Sequence, residues 1–182
     1  MIAYKAFEQG LICLEYKFKM GLNRTDKANC RQNGFHCAEN PLDCLTYYPD
    51  MGSSEYCIVS AGGDIDEDDV DSKISCTELT VLKKLTRREF FLHGLAFMAD
   101  HPLREWSCHV KKDRAEAHGG YAVVRGMDPV AKGEMGDILA LARENPETGI
   151  VEQVALICVD GTNIMAGKWY DANLKERQVI LL

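Results

Sequence analysis

Cys30, His36, Cys37 and Cys44 fall within 15 positions of one another and are all side chains that can ligate zinc or, as a Cys–His pair, form a nucleophile. Their spacing argues against both. No Cys-x-x-Cys pair is present, and nothing local marks an oxyanion site beside Cys37. The bland alternative places Cys37 on a core-facing strand and Cys44 on a short helix as small hydrophobes. A second cluster, Asp64-Ile65-Asp66-Glu67-Asp68-Asp69-Val70-Asp71, has the carboxylates of a calcium loop but not its pattern. Counting from Asp64, the sixth residue is Asp69 where glycine is needed, and the twelfth is Ser75 where glutamate is needed. The run reads as a solvated loop, or as a surface that docks on a basic partner through Asp64, Asp66, Glu67, Asp68, Asp69 and Asp71.

The third cluster is basic: Lys83, Lys84, Arg87 and Arg88, then Arg104, Lys111, Lys112, Arg114 and Arg125. Such residues neutralise phosphates or an acidic partner. The competing reading is a solvated helix face with Glu89, Glu105, Asp113 and Glu116 as interleaved partners. The candidates for DNA or acidic-partner contact are Lys83, Lys84, Arg87, Arg88, Lys111, Lys112 and Arg114. No helix-turn-helix, zinc finger or RNA-binding aromatic motif accompanies them. Net charge is -7, but its layout says more than its sum. Residues 61–80 carry -6 and residues 81–125 carry +4, so an acidic segment runs straight into the only net-basic one.

At 182 residues, 46% hydrophobic and 27% charged, the chain is sized and composed for one globular domain with a real core. A sub-boundary near 113–120 is the one place it would divide. No apolar run approaches the length that spans a bilayer, and Met1 to Phe7 lacks the layout of a signal peptide. The expectation is therefore a cytoplasmic protein with no membrane association, and with its eight cysteines as reduced thiols, several buried in apolar runs such as Leu156-Ile157-Cys158.

The elements that must position these groups read as α+β. Residues 2–7 and 11–20 suggest two strands, and 21–33 a polar loop. Gly34 to Ala38 suggests a buried strand, and Asn40-Pro41 opens a short helix running through Tyr48. Glu55 to Ala61 and 73–84 suggest core strands. Thr86-Arg87-Arg88-Glu89 is a capping box that starts the central helix, which ends at His101-Pro102. A second helix is expected from Leu103 to about Lys112. From Ala115 to Ala142, glycines punctuate brief apolar segments, as short strands stacked in rungs would require, although a loop-rich strand and helix would also fit. Ile150 to Val159, Trp169-Tyr170 and Val179 to Leu182 close the sheet, with a turn at Asp160-Gly161. The fold class is thus a single α+β domain with mixed or antiparallel strands, a central helix or helix pair and a glycine-punctuated strand segment.

Two likenesses follow. Gly34-Phe35-His36-Cys37-Ala38 with Tyr47-Tyr48 and the strand from Glu55 loosely resembles the ADP-ribosyltransferase fold. That family needs an early histidine or arginine, where Tyr4-Lys5 stands, a mid-chain serine or tyrosine, and a late glutamate, for which no residue is clearly assignable. Read together, Tyr4-Lys5-Ala6-Phe7, Asn33 to Tyr48, Glu55 to Asp71 and Trp169-Tyr170 resemble small, largely uncharacterised proteins of phages and mobile elements of gut bacteria. At this length the chain resembles a type II-A anti-CRISPR protein, an inhibitor of Cas9. The resemblance implies direct binding to guide-loaded Cas9, with or without a contact to double-stranded DNA, and a block on target binding or cleavage. It implies no enzyme activity, cofactor or metal. The acidic run would suit the basic nucleic-acid channels of Cas9, and the 83–114 stretch would suit DNA. An ADP-ribosyltransferase-like enzyme is the alternative.

Overall fold

The computed structural model describes residues 1–29, 33–67 and 72–179, with Glu67 described by its backbone only. The chain divides into two compact units, Met1–Phe90 and Phe91–Leu182. Residues 113–120 lie inside the second unit.

In the first unit, alternation of small and apolar residues forms β1 (Ile2–Glu8), with Ala3 and Phe7 at 0% exposure on one face. A polar-edged hairpin follows, β2 (Ile12–Cys13) and β3 (Tyr16–Lys17), then β4 (Gly21–Arg24) and β5 (Phe35–Ala38). The expected 11–20 strand is therefore a tight hairpin. The expected polar loop after Gly21 begins as a strand, because Gly21–Arg24 pairs with Glu78–Val81. The helix opened by Asn40 and Pro41 is a 3₁₀ helix, Pro41–Thr46, whose cap is the Asn40 Oδ1 accepting from the Leu42 N–H at 3.1 Å. Two long strands complete the sheet, β6 (Ser54–Glu67) and β7 (Lys73–Leu85).

All pairings in this unit are antiparallel, and four of them close on themselves: β1 with β5, β5 with β7, β7 with β6, and β6 with β1. Phe18, Phe35, Cys37, Cys57, Ile74 and Leu79 pack with Ala3 and Phe7 in the core. Gly62-Gly63 does not end β6, as the sequence suggested. The strand continues to Glu67 across an irregularity between Gly62 and Ile65. Gly63 sits at φ +69°, and a Cβ there would lie 2.1 Å from Thr77 Oγ1, so the kink needs glycine.

Helix α1 (Arg87–Asp100) starts at the expected capping box. The Thr86 N–H and hydroxyl donate to Glu89 at 2.8 and 2.9 Å, and the Glu89 N–H returns to Thr86 Oγ1 at 3.2 Å. The helix expected after it is not formed. Residues 101–109 are turns, bends and irregular chain, and β8 (Val110–Glu116) is a strand. Backbone pairing of Val110 with Val123 outweighs the helical spacing of Leu103, Trp106 and Val110. Trp106 stacks instead on the Arg125 guanidinium, 4.8 Å from ring centroid to Cζ.

The second unit holds β8, β9 (Tyr121–Lys132), β10 (Ile138–Glu144), β11 (Val151–Cys158), β12 (Trp169–Asp171) and β13 (Glu176–Arg177). β8 and β10 both run parallel to β9, which aligns Val110, Val123 and Ala140. The 117–120 link is far shorter than a crossover helix, so successive strands are coils of a winding chain. This is the rung stacking that the glycine spacing suggested. β11, β12 and β13 add antiparallel pairs, making this sheet mixed. Its core is Ala122, Val124, Leu139, Leu141, Ile157 and Tyr170 with their neighbours. Pleating turns Ile157 inward at 3% exposure and leaves Cys158 exposed, contrary to its expected burial. Val179 lies outside any strand, and 180–182 lie outside the described residues.

Candidate functional site

The acidic run begins on β6. Asp64 and Asp66 are both exposed, two residues apart on a strand paired to β7, and the Asp64 N–H donates to Thr77 Oγ1 at 2.9 Å. Glu67 closes the strand by its backbone, pairing with Ile74. Asp68, Asp69 and Asp71 lie outside the described residues.

The basic candidates separate into two groups. Lys83 and Lys84 on β7 are held in ion pairs, Lys83 with Glu89 at 2.6 Å and Lys84 with Glu55 at 2.5 Å. These contacts pull the Glu89 carboxyl down to about 2 and lower that of Glu55, with the lysine hydrogen bond the largest cause in each. Arg87 and Arg88 are exposed in the first turn of α1, at the positive end of its dipole. Lys111, Lys112 and Arg114 are exposed on β8, not on a helix, with a bulge at Asp113 (φ 61°) between Lys112 and Arg114. Lys111 Nζ donates to the Cys108 carbonyl at 3.1 Å. Arg125 is no surface cation. At 2% exposure it donates to Glu144 at 2.6 Å and to the carbonyls of Pro102 and Gly149 at 2.7 Å.

Among the described residues, no group of three or more His, Cys, Asp or Glu side chains is placed to hold a metal ion. Cys30 lies outside them. Seven cysteines are free thiols, Cys13, Cys37, Cys44, Cys57, Cys76, Cys108 and Cys158. Cys37 and Cys76 lie on paired strands, and the hydrogen bond between their thiols, with burial, lifts the Cys37 ionisation far above its ordinary range. Burial pushes the Cys44 thiol up to about 12.

The concave site of the first unit lies where β1, β5 and the 3₁₀ helix meet. It encloses about 260 Å³ and takes walls from Tyr4, Lys5, His36, Asp43, Tyr47 and Tyr48, with Cys13, Leu14 and Lys73 also lining it. β1 and β5 register only at Tyr4 with Ala38. Beyond that point Lys5 bridges them, its Nζ donating to the His36 carbonyl at 2.7 Å. His36 titrates at about 4 rather than 6.5, lowered first by burial and then by the charges of Lys73 and Lys5. Burial is also the first cause raising Tyr48, followed by its hydrogen bond with Cys13. Asp43, the one acid in the lining, accepts from Ser72 Oγ at 2.7 Å. The glutamate that an ADP-ribosyltransferase requires is not in these walls. Sequence reasoning picked out the Gly34–Ala38 strand and the Tyr47-Tyr48 pair but missed Lys5 as a core-facing charge. Its signal was available, since Lys5 stands between Ala3 and Phe7 on the buried face of an alternating strand.

Fold and site together define a strand-dominated α+β protein with a closed antiparallel ring, a coiled mixed sheet and an aromatic-walled recess. A family profile described as a domain of unknown function (DUF7666) matches residues 1–93, and the chain belongs to that family. The matched stretch holds both the recess and the acidic end of β6. No curated protein and no solved structure matches the chain. No helix among the described residues is long and apolar enough to cross a membrane.

Proposed function

We propose that the chain works by binding a macromolecular partner at stoichiometric ratio, with the acidic end of β6 and the segment after it as the docking element. The supporting observation is the exposure of Asp64 and Asp66 towards the end of β6, where Asp66 pairs with Ser75 of β7 and the Asp64 N–H is held by Thr77 Oγ1 before any partner arrives. Preset charges steer encounter and lose little entropy on docking. The partner this chemistry selects presents a basic groove. Guide-loaded Cas9, to which the sequence resemblance points, has one in its nucleic-acid channel. A contact with double-stranded DNA falls to Lys111, Lys112 and Arg114 rather than to Lys83 and Lys84, whose ammonium groups already face carboxylates.

A Cas9 cleavage assay titrated with the full chain, with size-exclusion chromatography of the mixture, tests this reading. Expected are loss of cleavage near equimolar ratio and co-elution, both weakened when Asp64, Asp66, Asp68 and Asp69 are changed together to Asn. Unaffected cleavage and separate elution at several-fold excess would overturn the proposal.

A further inference from the structure

Independently of that partner, we propose that the recess between β1, β5 and the 3₁₀ helix binds a small aromatic anion, a carboxylate or phosphate borne on a planar ring, with the Lys5 ammonium as its counter-charge.

Lys5 is 5% exposed and shares its face of β1 with Ala3 and Phe7. An ammonium carries three donors. One goes to the His36 carbonyl at 2.7 Å and one to Cys13 Sγ at 3.5 Å. The Phe7 and Phe18 rings lie 5.2 and 5.3 Å from the nitrogen. A carbonyl, a thiol and two ring faces solvate the charge but do not cancel it, and among the described residues no carboxylate pairs with it. A buried, unneutralised cation is costly unless something anionic completes it. Lys5 lines the recess, whose space admits such a group.

The recess also carries a positive balance. Among its lining residues Lys5 and Lys73 are the lysines and Asp43, engaged by Ser72, is the one acid. Near neutral pH His36 is uncharged there, its protonation opposed first by burial and then by both lysines. Size and lining select the rest of the ligand. A cavity of about 150 Å³ takes benzene, so about 260 Å³ takes a ring with an anionic substituent. Tyr4, Tyr47 and Tyr48 offer ring surfaces, and Lys73 Nζ lies 4.6 Å from the Tyr47 ring centroid. At the rim Leu14 is 86% exposed on a left-handed turn, an apolar side chain with water in place of a contact.

The test uses the full chain and three probes of one shape: benzoate, phenyl phosphate and neutral benzamide. Calorimetry should detect benzoate or phenyl phosphate and find benzamide at least tenfold weaker; the tighter anion tells which acid the site is built for. Lys5→Met should lower anion affinity at least tenfold while leaving benzamide unchanged. Should that variant fail to fold, the wild type still decides the matter through the His36 ring resonances. A bound anion must raise the His36 titration point above about 4. Benzamide binding as well as the anions, no binding of either anion, or an unmoved His36 in the presence of bound anion would each overturn the proposal.

Discussion

Replacing Leu14 by Asn and Glu15 by Gly should stabilise the free protein while weakening any ligand of the recess. The two residues form the whole turn between β2 and β3, since Cys13 pairs with Tyr16. Both have positive φ, 48° and 65°, as a type I′ hairpin turn requires; such turns favour Asn-Gly because L side chains crowd the carbonyl there. A left-handed non-glycine residue costs about 1 kcal/mol or slightly more, so two of them cost about 2 kcal/mol. Against this stands the burial lost on truncating Leu14. At 86% exposure it keeps about a seventh of its surface covered, worth about 0.3 kcal/mol of the roughly 2 kcal/mol for a fully buried leucine. Added chain entropy from glycine in the unfolded state subtracts about 0.5–1 kcal/mol. The balance is about +1 kcal/mol, or a rise of about 2–4 °C in Tm for a chain of this length. Thermal unfolding followed by circular dichroism measures it. An unchanged or lower Tm would refute the strain argument.

Three further outcomes follow from the geometry. Arg125→Met should cost about 3–5 kcal/mol by leaving Glu144 and the carbonyls of Pro102 and Gly149 without their donor, and adding Glu144→Leu should recover part of it; urea unfolding of both variants measures this. Thr86→Ala removes one half of the capping box at α1 and should cost about 1 kcal/mol, read as a lower urea midpoint at constant m. His36 titrates at about 4 in the folded chain and 6.5 when unconstrained. Between those values the unfolded chain alone takes up the proton, so stability is complete above about pH 6.5 and falls as pH drops towards 4. His36→Asn should flatten that slope in a pH series of unfolding curves.

The elements most legible in the sequence are those whose signal is local. The Thr86–Glu89 capping box, the Asn40-Pro41 start and the strands β1 and β7 reveal themselves within a few residues and stand close to their expected places, whereas β6 starts where expected and runs on past Gly62-Gly63 to Glu67. Leu103 to Lys112 was misread because its strand has no meaning until β9 exists to pair with it. β4 was hidden for the same reason, being two polar residues, a leucine and a glycine that only β7 makes into a strand. The charged clusters were legible as composition but not as partners. Lys84 and Glu55 are 29 positions apart, and Arg125 and Glu144 are 19. Nothing local forecasts that either cation is occupied. Lys5 shows the opposite case: the alternation places it inward, and only the fold shows that no carboxylate comes to meet it.

The first unit therefore carries two charged features of opposite sign and opposite depth, and salt separates their roles. Asp64 and Asp66 are exposed, so any partner held there is screened over about 8–10 Å at physiological ionic strength and should dissociate as salt is raised. Lys5 is 5% exposed, and an anion at its side displaces the water through which screening acts. Raising sodium chloride from 50 to 500 mM should weaken docking through the acidic strand by roughly tenfold or more, while binding in the recess changes by a smaller factor. Chloride competition is controlled by repeating the series with a bulkier anion that the aromatic walls exclude. Equal salt sensitivity of the two would mean that the recess ligand is held at the Lys73 rim and not by the buried ammonium, because a rim contact is screened as an exposed one is.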